Sequence, residues 1–358
     1  MPICKSCTQL IHSLHAALLS AFFGTGKQRP CSTFRRNIEM DNLTQGRERP
    51  VVSVVMLSYN HEPYVTQAIE SVLSQETAFP VEILIGDDAS SDHTPDIIRQ
   101  YAQRYPERIV PVLREKNLGP TQNLYDLIER AGGKYIAYLE CDDIWCDNTK
   151  LQQQVDFLET HPGYVACTHR INVIDGEGHM QERDFCWIST KEHYTLADFQ
   201  GCILSGHGNS VVQRNFFLGS GGKYKDLITF HPIIGDRMLC MLMASMGPIY
   251  QIPQVMGLYR IPEVNRDSAT AALYLTNSRA TLDEYLLTYR LRKFAAVRYE
   301  IHADFFPHIL ELLSSAVHAF LDAPSLFSLF VVLKILVSEH DVKLFVHLIK
   351  KLIEKMKK

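Results

Sequence analysis

Residues 52–60 read Val-Ser-Val-Val-Met-Leu-Ser-Tyr-Asn, and residues 81–94 read Val-Glu-Ile-Leu-Ile-Gly-Asp-Asp-Ala-Ser-Ser-Asp-His-Thr. Each is a short apolar run, rich in β-branched residues, that breaks abruptly into polar and acidic sequence. Between them, Tyr64–Gln75 carries apolar residues three and four positions apart, the spacing of a helix that covers one face of a sheet. Strand, helix and strand in this order make a βαβ unit. The pattern recurs, with strands expected at Val51–Leu57, Val81–Ile85, Ile109–Leu113 and Tyr135–Leu139 and helices at Pro95–Tyr105 and Thr121–Arg130. The expected fold is therefore α/β, a largely parallel sheet with helices on both faces. Such a sheet binds ligands beyond the carboxyl ends of its strands, so the informative loops begin at Ser58, Gly86, Arg114 and Glu140.

After Asp143 the pattern is mixed. A helix is expected at Lys150–Thr160, strands at Tyr164–Thr168 and Asn209–Gln213, and a helix at Asp236–Met246. The glycine-containing stretch Gly201–Gly208 reads as a flexible loop, and this half suits an acceptor site. From about Ser268 nearly everything is helix-forming. Three regions follow: an N-terminal extension at 1–49, a catalytic domain at 50–265 and a helical region at 266–358.

The extension is expected to be disordered and outside the fold. Leu14–Phe23 is apolar, but His12 and His15 interrupt its flank, no small-residue cleavage site follows, and Gly24–Asn42 reads as polar linker. Met40, just before the first strand, is an alternative start. At the other end Leu326–Val337 contains Lys334 and is shorter than the ~20 residues of a bilayer span. From Ser325 an apolar face alternates with lysines as far as Lys358. Such a helix can lie on an anionic membrane surface or pack on the domain with its lysines solvated.

Composition narrows the class. The chain has 358 residues, 36 basic and 40 acidic, and no global positive field to hold a nucleic-acid backbone. Its nine cysteines lack the even framework of a secreted disulfide scaffold, and Cys4 and Cys7 form a CxxC with no second zinc-spaced pair. Free thiols in a reducing cytoplasm are expected.

The chemistry concentrates at two strand ends. Gly86 is followed by Asp87 and Asp88, a pair able to accept hydrogen bonds from a base or ribose, while Ser91, Asp92 and Thr94 can equally cap the next helix. Leu139 is followed by Glu140, Asp142 and Asp143, and carboxylates this crowded repel one another unless a cation neutralises them. Hard oxygen ligands suit magnesium or manganese.

Val-Ser-Val-Val-Met-Leu-Ser-Tyr-Asn at 52–60, Asp-Asp-Ala-Ser-Ser-Asp-His-Thr at 87–94, Lys-Asn-Leu-Gly at 116–119 and Glu-Cys-Asp-Asp at 140–143 together resemble family 2 glycosyltransferases of the GT-A fold, over roughly residues 50–262. The resemblance implies a Rossmann-like nucleotide-binding sheet and an inverting transfer from a nucleotide diphosphate sugar to a glycan or lipid-linked acceptor in surface polysaccharide synthesis. It implies donor binding by Leu57, Tyr59, Asn60, Glu62, Asp88, Asn117, Asp142 and Arg260, with Tyr59 stacked on the base and Asp88 accepting from it. Asp142 or Asp143 is the implied ligand of Mn2+ or Mg2+; Glu140-Cys141-Asp142-Asp143 departs from Asp-x-Asp and leaves the choice open. Asp236 sits where the family places its general base, in Ile234-Gly235-Asp236-Arg237, with Asp226 and His231 next in line; relatives often carry Trp at the place of Arg237. The processive Gln-x-x-Arg-Trp signature is missing, so addition of single sugars is expected, at the cytoplasmic face of the membrane. His207 is a candidate acceptor contact, although a lone histidine is more often structural. Two other readings are a non-catalytic sugar-nucleotide or glycan-binding module, which needs neither the 140–143 cluster nor Asp236, and a sugar nucleotidyltransferase, whose glycine-rich basic loop nothing after Val51 supplies.

Overall fold

The computed structural model describes residues 49–183, 185, 187–231, 235–261, 278–323, 325–339, 344 and 346. The expected N-terminal extension up to residue 48 and nearly all of the lysine-rich end after 339 lie outside the described residues.

The first half alternates as the sequence predicts: β1 (Val52–Ser58), α1 (Val65–Leu73), β2 (Val81–Asp87), α2 (Thr94–Arg104), β3 (Ile109–Leu113), α3 (Pro120–Arg130) and β4 (Tyr135–Glu140). Helix α1 buries Val65, Ala68, Ile69 and Val72, the stripe its spacing foretells. Strand β1 pairs in parallel with β2 on one side and with β4 on the other. The chain therefore reverses direction of travel across β1, and a crevice opens at that switch point.

Past β4 the sheet becomes mixed. The short β5 (Ile144–Trp145) and α4 (Lys150–Thr160) lead into β6 (Ala166–Ile174), which begins two residues later and runs six residues further than the strand expected at Tyr164–Thr168. β7 (Met180–Gln181), β8 (His193–Tyr194), the single turn α5 (Leu196–Phe199), β9 (Val212–Arg214), α6 (Asp236–Met246) and β10 (Ile249–Arg260) follow. The strand order is β3-β2-β1-β4-β9-β6-β10-β5, with β9 antiparallel to both β4 and β6.

Alternation along β1 divides the core. Val54 and Met56 face α1 and α4, whereas Val55 belongs to the layer formed by α3, α6 and the C-terminal helices α7 (Ser278–Tyr299), α8 (Phe306–Asp322) and α9 (Leu326–Glu339). Those helices contribute Tyr285, Leu291, Leu313, Val317, Val331 and Ile335 to the same apolar cluster as Met238 and Leu242 of α6, so the helical region shares a core with the sheet. Gly86 allows the close approach of α3: a Cβ there would stand 2.5 Å from Oδ1 of Asn123, whose Nδ2 donates to the Gly86 carbonyl at 2.8 Å.

A buried lysine lies beneath this frame. Lys150 is fully buried, its Nζ has no hydrogen-bond partner, and it sits 3.9 Å from the centroid of the Trp145 ring. Burial drives its pKa down to about 7. Between that value and the ordinary lysine range, the unfolded chain binds the extra proton, so stability attributable to Lys150 rises with pH from about 7 to about 10. Lys150→Met should therefore be the more stable protein at pH 7 in urea unfolding, and its advantage should shrink as pH approaches 10; a constant difference would show that the amine is charged in the fold.

Candidate active site

The ends of β1, β2 and β4 are brought level by their register, with Leu57 beside both Gly86 and Glu140 and Ser58 beside Asp87. The loops that follow lock into one another. Asn60 takes a left-handed φ of 54°, a conformation that asparagine tolerates better than most residues. Its N–H donates to Ser90 Oγ at 2.8 Å, and its Oδ1 accepts from the Ser91 N–H at 2.8 Å. The Glu62 N–H donates to Asp92 Oδ2 at 3.1 Å, and Glu62 Oε2 accepts from the His93 N–H at 3.0 Å. Asn60 and Glu62 thus shape the cradle from its rim, while the Tyr59 ring stays 48% exposed at its mouth.

The buried Asp88 accepts from the N–H groups of Leu118 and Gly119 at 2.7 and 2.8 Å, fastening the 114–119 loop. Asn117 turns the same loop by accepting from the Gly119 N–H at 3.0 Å. Each Asp88 oxygen keeps a second lone pair for a ligand donor.

The acidic turn separates into three roles. Asp143 is fully buried, with Oδ1 accepting from the Arg260 N–H at 2.9 Å and Oδ2 from Asn209 Nδ2 at 2.8 Å. Burial, and then the charges of Asp142 and Glu140, push its pKa well above the carboxylate range. Asp142 has a buried Oδ1 without a hydrogen-bond partner, and its Oδ2 lies 3.8 Å from His61 Nε2. Glu140 opens onto a cavity, where surrounding protein, then Asp142 and Asp236, raise its pKa to about 8.

That cavity has a volume of about 230 Å³ and lies between the β1 and β4 ends and α6. Leu57, Glu140, Trp187, His207, Asp236 and Tyr259 line it, so two carboxylates share one mostly apolar space. Asp236 stands in the first turn of α6, and its Oδ1 accepts from the Arg237 N–H at 2.8 Å. The His207 ring lies tilted against that of Tyr259 with centroids 4.1 Å apart, and burial drives its pKa down to about 4, so it contributes a neutral ring.

Arg260 was expected near the diphosphate. Its Nε donates to the Asp142 carbonyl at 2.8 Å, Nη1 to the carbonyls of Asp175 and Gly176 at 3.2 and 3.3 Å, and Nη2 to Gln67 Oε1 at 2.8 Å, with Tyr64 beneath the guanidinium at 4.6 Å. Buried in this way, it clamps the acidic turn from behind. The 201–208 stretch, read from sequence as a flexible loop, is packed at its middle: Leu204 and Ser205 are buried, and the 208–210 turn places a buried Asn209 beside Asp143. Sequence reasoning missed His61, Asn209 and the cavity position of Glu140. His61 directly follows the 52–60 motif, whereas nothing local marks Asn209.

The profile of Glycosyl transferase family 2 matches residues 53–217. An uncharacterized glycosyltransferase of Nostoc sp. is 35% identical over 230 residues, covering 62% of this chain and 68% of that protein. An uncharacterized protein of Mycobacterium tuberculosis is 34% identical over 214 residues, covering 58% of each chain. Staphylococcus aureus TarS 1–349, solved in complex with UDP-GlcNAc, aligns over 76% of this chain and 81% of its own with 17% identity and a TM-score of 0.48. The chain belongs to glycosyltransferase family 2. It spans 58% of the length of the mycobacterial relatives it matches.

The division of roles between the two aspartates is measurable. Asp143→Ala leaves two buried donors unpaired and should lower unfolding free energy by about 1–3 kcal/mol in urea titrations. Asp142→Ala removes a carboxylate from a crowd of like charges and should leave stability equal or higher; the reverse order would overturn the assignment.

Proposed function

We propose that this glycosyltransferase moves a single sugar from a nucleoside diphosphate sugar to a hydroxyl of a glycan or lipid-linked acceptor, with inversion, during synthesis of a surface polysaccharide. The observation that carries this reading is the placement of Asp236 and Glu140 in one cavity at the switch point of the sheet, beside Asp142. A Bacillus subtilis protein provisionally named the teichuronic acid biosynthesis glycosyltransferase TuaG is 40% identical over 110 residues, 31% of this chain and 42% of its own, which supports the polymer class of product.

In this reading the loops zipped at 60–62 and 90–94 hold the nucleotide, with the Tyr59 ring available to stack on the base and the remaining lone pairs of Asp88 facing its donors. Asp236 takes the acceptor proton as the hydroxyl attacks the anomeric carbon from the face opposite the diphosphate. Trp187 and Tyr259 offer apolar faces to a sugar ring, and the neutral His207 offers a hydrogen bond without competing for the proton.

The donor set fits a divalent cation held jointly with substrate. Asp142 has an orphaned buried oxygen, and Asp143 has both oxygens engaged, so Asp142 is the ligand this reading selects. Among the described residues no three His, Cys, Asp or Glu side chains converge on one point. Magnesium or manganese sites of this kind use one or two carboxylates and take their other ligands from phosphate and water. When bound, such an ion offsets charge on the leaving diphosphate.

Asp236→Asn keeps the shape and removes the basic carboxylate, so transfer should fall ~10²–10⁴-fold with nucleotide diphosphate affinity unchanged. Transfer at the wild-type rate would point instead to another base. Asp142→Ala should lose the manganese-dependent part of nucleotide affinity in calorimetry, and a variant that kept the wild-type gain in affinity on adding the ion would remove Asp142 from the metal site.

We also place the enzyme at the inner face of the membrane. Helix α9 exposes Leu326, Leu329, Leu333 and Val337 at three- and four-residue spacing, a stripe that the core leaves uncovered. No helix among the described residues is long and apolar enough to cross a membrane, so attachment in the plane of the interface is the mode this stripe supports. Leu329→Glu with Leu333→Glu should cut co-flotation with anionic liposomes severalfold, and unchanged recovery would count against the placement.

A further inference from the structure

A cysteine stands at the edge of the same cavity. Cys202 lines it, and its Sγ lies 3.2 Å from Nδ1 of His308, a residue 106 positions away on α8. Nε2 of His308 lies 2.9 Å from Oε1 of Glu284 on α7, and the same carboxylate pairs with Arg237 at the start of α6. Thiol, imidazole and carboxylate thus stand in line, each within hydrogen-bond reach of the next.

The backbone is built for this approach. Gln200 and Gly201 both take left-handed φ values, 46° and 96°, which swing the chain leaving α5 against α8. A Cβ at Gly201 would stand 2.8 Å from the Phe305 ring and 3.3 Å from Cβ of His308, so only glycine lets the strand of chain close on the histidine. Cys202 is partly accessible, and its N–H is held by the Phe199 carbonyl at 3.0 Å.

A thiolate is the nucleophilic form of cysteine, and an adjacent imidazolium favours it. A carboxylate behind the ring fixes its orientation and supports its charge. Burial alone would pull the His308 pKa down, but the bonds to Cys202 and Glu284, together with their charges, hold it at about 9. The other titratable or charged groups facing this pair are Tyr194 from β8, Arg237 from α6 and Glu311 from α8 itself.

We propose that Cys202 is an activated thiol, paired with His308 and oriented through Glu284, and that it forms mixed disulfides with low-molecular-weight disulfides that close the acceptor cavity. The Cys202 sulfur attacks one sulfur of the reagent; a new S–S bond forms as the old one breaks, and the other half leaves as a thiolate that takes its proton from solvent. Excess thiol reverses the exchange. The closure half rests on the acceptor reading of the cavity given above.

Oxidised glutathione serves as the probe, with acid trapping and peptide mass spectrometry to follow each site. Cys146 is the internal reference, because it is exposed while its thiol pKa is raised, by partial burial and by Asp147, against a backbone N–H that lowers it. An ordinary thiol is only a few per cent ionised at pH 7, so Cys202 should react about tenfold faster than Cys146 despite its lesser exposure. Its rate should stay nearly level from pH 6.5 to 8, and His308→Gln should lower it about tenfold at pH 7. Cys146 reacting first, or an equal Cys202 rate in the folded His308→Gln protein, would overturn the proposal. Should that variant misfold by circular dichroism, the wild-type profile decides, since a tenfold rise per pH unit identifies an ordinary thiol. These measurements use no sugar substrate and stand apart from the transfer reading. Fully modified protein should lose transfer while keeping nucleotide affinity, and Cys202→Ser should resist that loss. Undiminished transfer after modification would overturn the closure while leaving the Asp236 result to judge the transfer reading on its own.

Discussion

The buried carboxylate of Asp143 is the interaction on which the rest of the site depends. It joins three segments that are remote in sequence: the acidic turn after β4, the 208–210 turn through Asn209, and the last residue of β10 through the Arg260 N–H. Burial beside two other acids holds its pKa well above the carboxylate range, and two donors aimed at its oxygens offset the cost of burying this polar group only while all three segments stay in place. Trp145 extends the tie, because its Nε1 donates to the Asn209 carbonyl at 2.8 Å and its ring carries Lys150. The geometry of the turn is thereby set from beneath the sheet as well as from its end.

With Asp143 and Arg260 committed to holding the turn, Asp142 and Glu140 are left to face outward. Their proximity is electrostatically unfavourable, and burial, followed by the charges of Asp142 and Asp236, displaces the Glu140 pKa upward. A site with this imbalance favours the arrival of positive charge. Rigidity on one side and unsatisfied charge on the other are consequences of the same burial.

The C-terminal helices enter the chemistry by the same logic of shared surfaces. They pack into the core layer of α3 and α6, and the Glu284 carboxylate of α7 meets both Arg237 of α6 and His308 of α8. The residue next to the proposed base is therefore oriented by helices that sequence reading had assigned to a separate region. Their composition announced helices, and the core they share turns out to be that of the sheet layer built from α3 and α6.

The local sequence determined the alternation of β1 to β4 with their helices, because strands of period two and helices of period three to four announce themselves over a few residues. It also placed the acidic residues at strand ends, where a parallel sheet presents them to ligand, and the order of the motifs identified the family. Residues such as Asn209, Gly201, Glu284 and His308 carried no such mark, since their roles arise only when segments as many as 106 residues apart meet. Which carboxylate is buried and which is free, and whether Arg260 reaches the ligand or grips the backbone, were decided by the tertiary structure. Burial and partner geometry, which set the charge and reach of every polar group, are properties of the packed chain and of no single stretch of it.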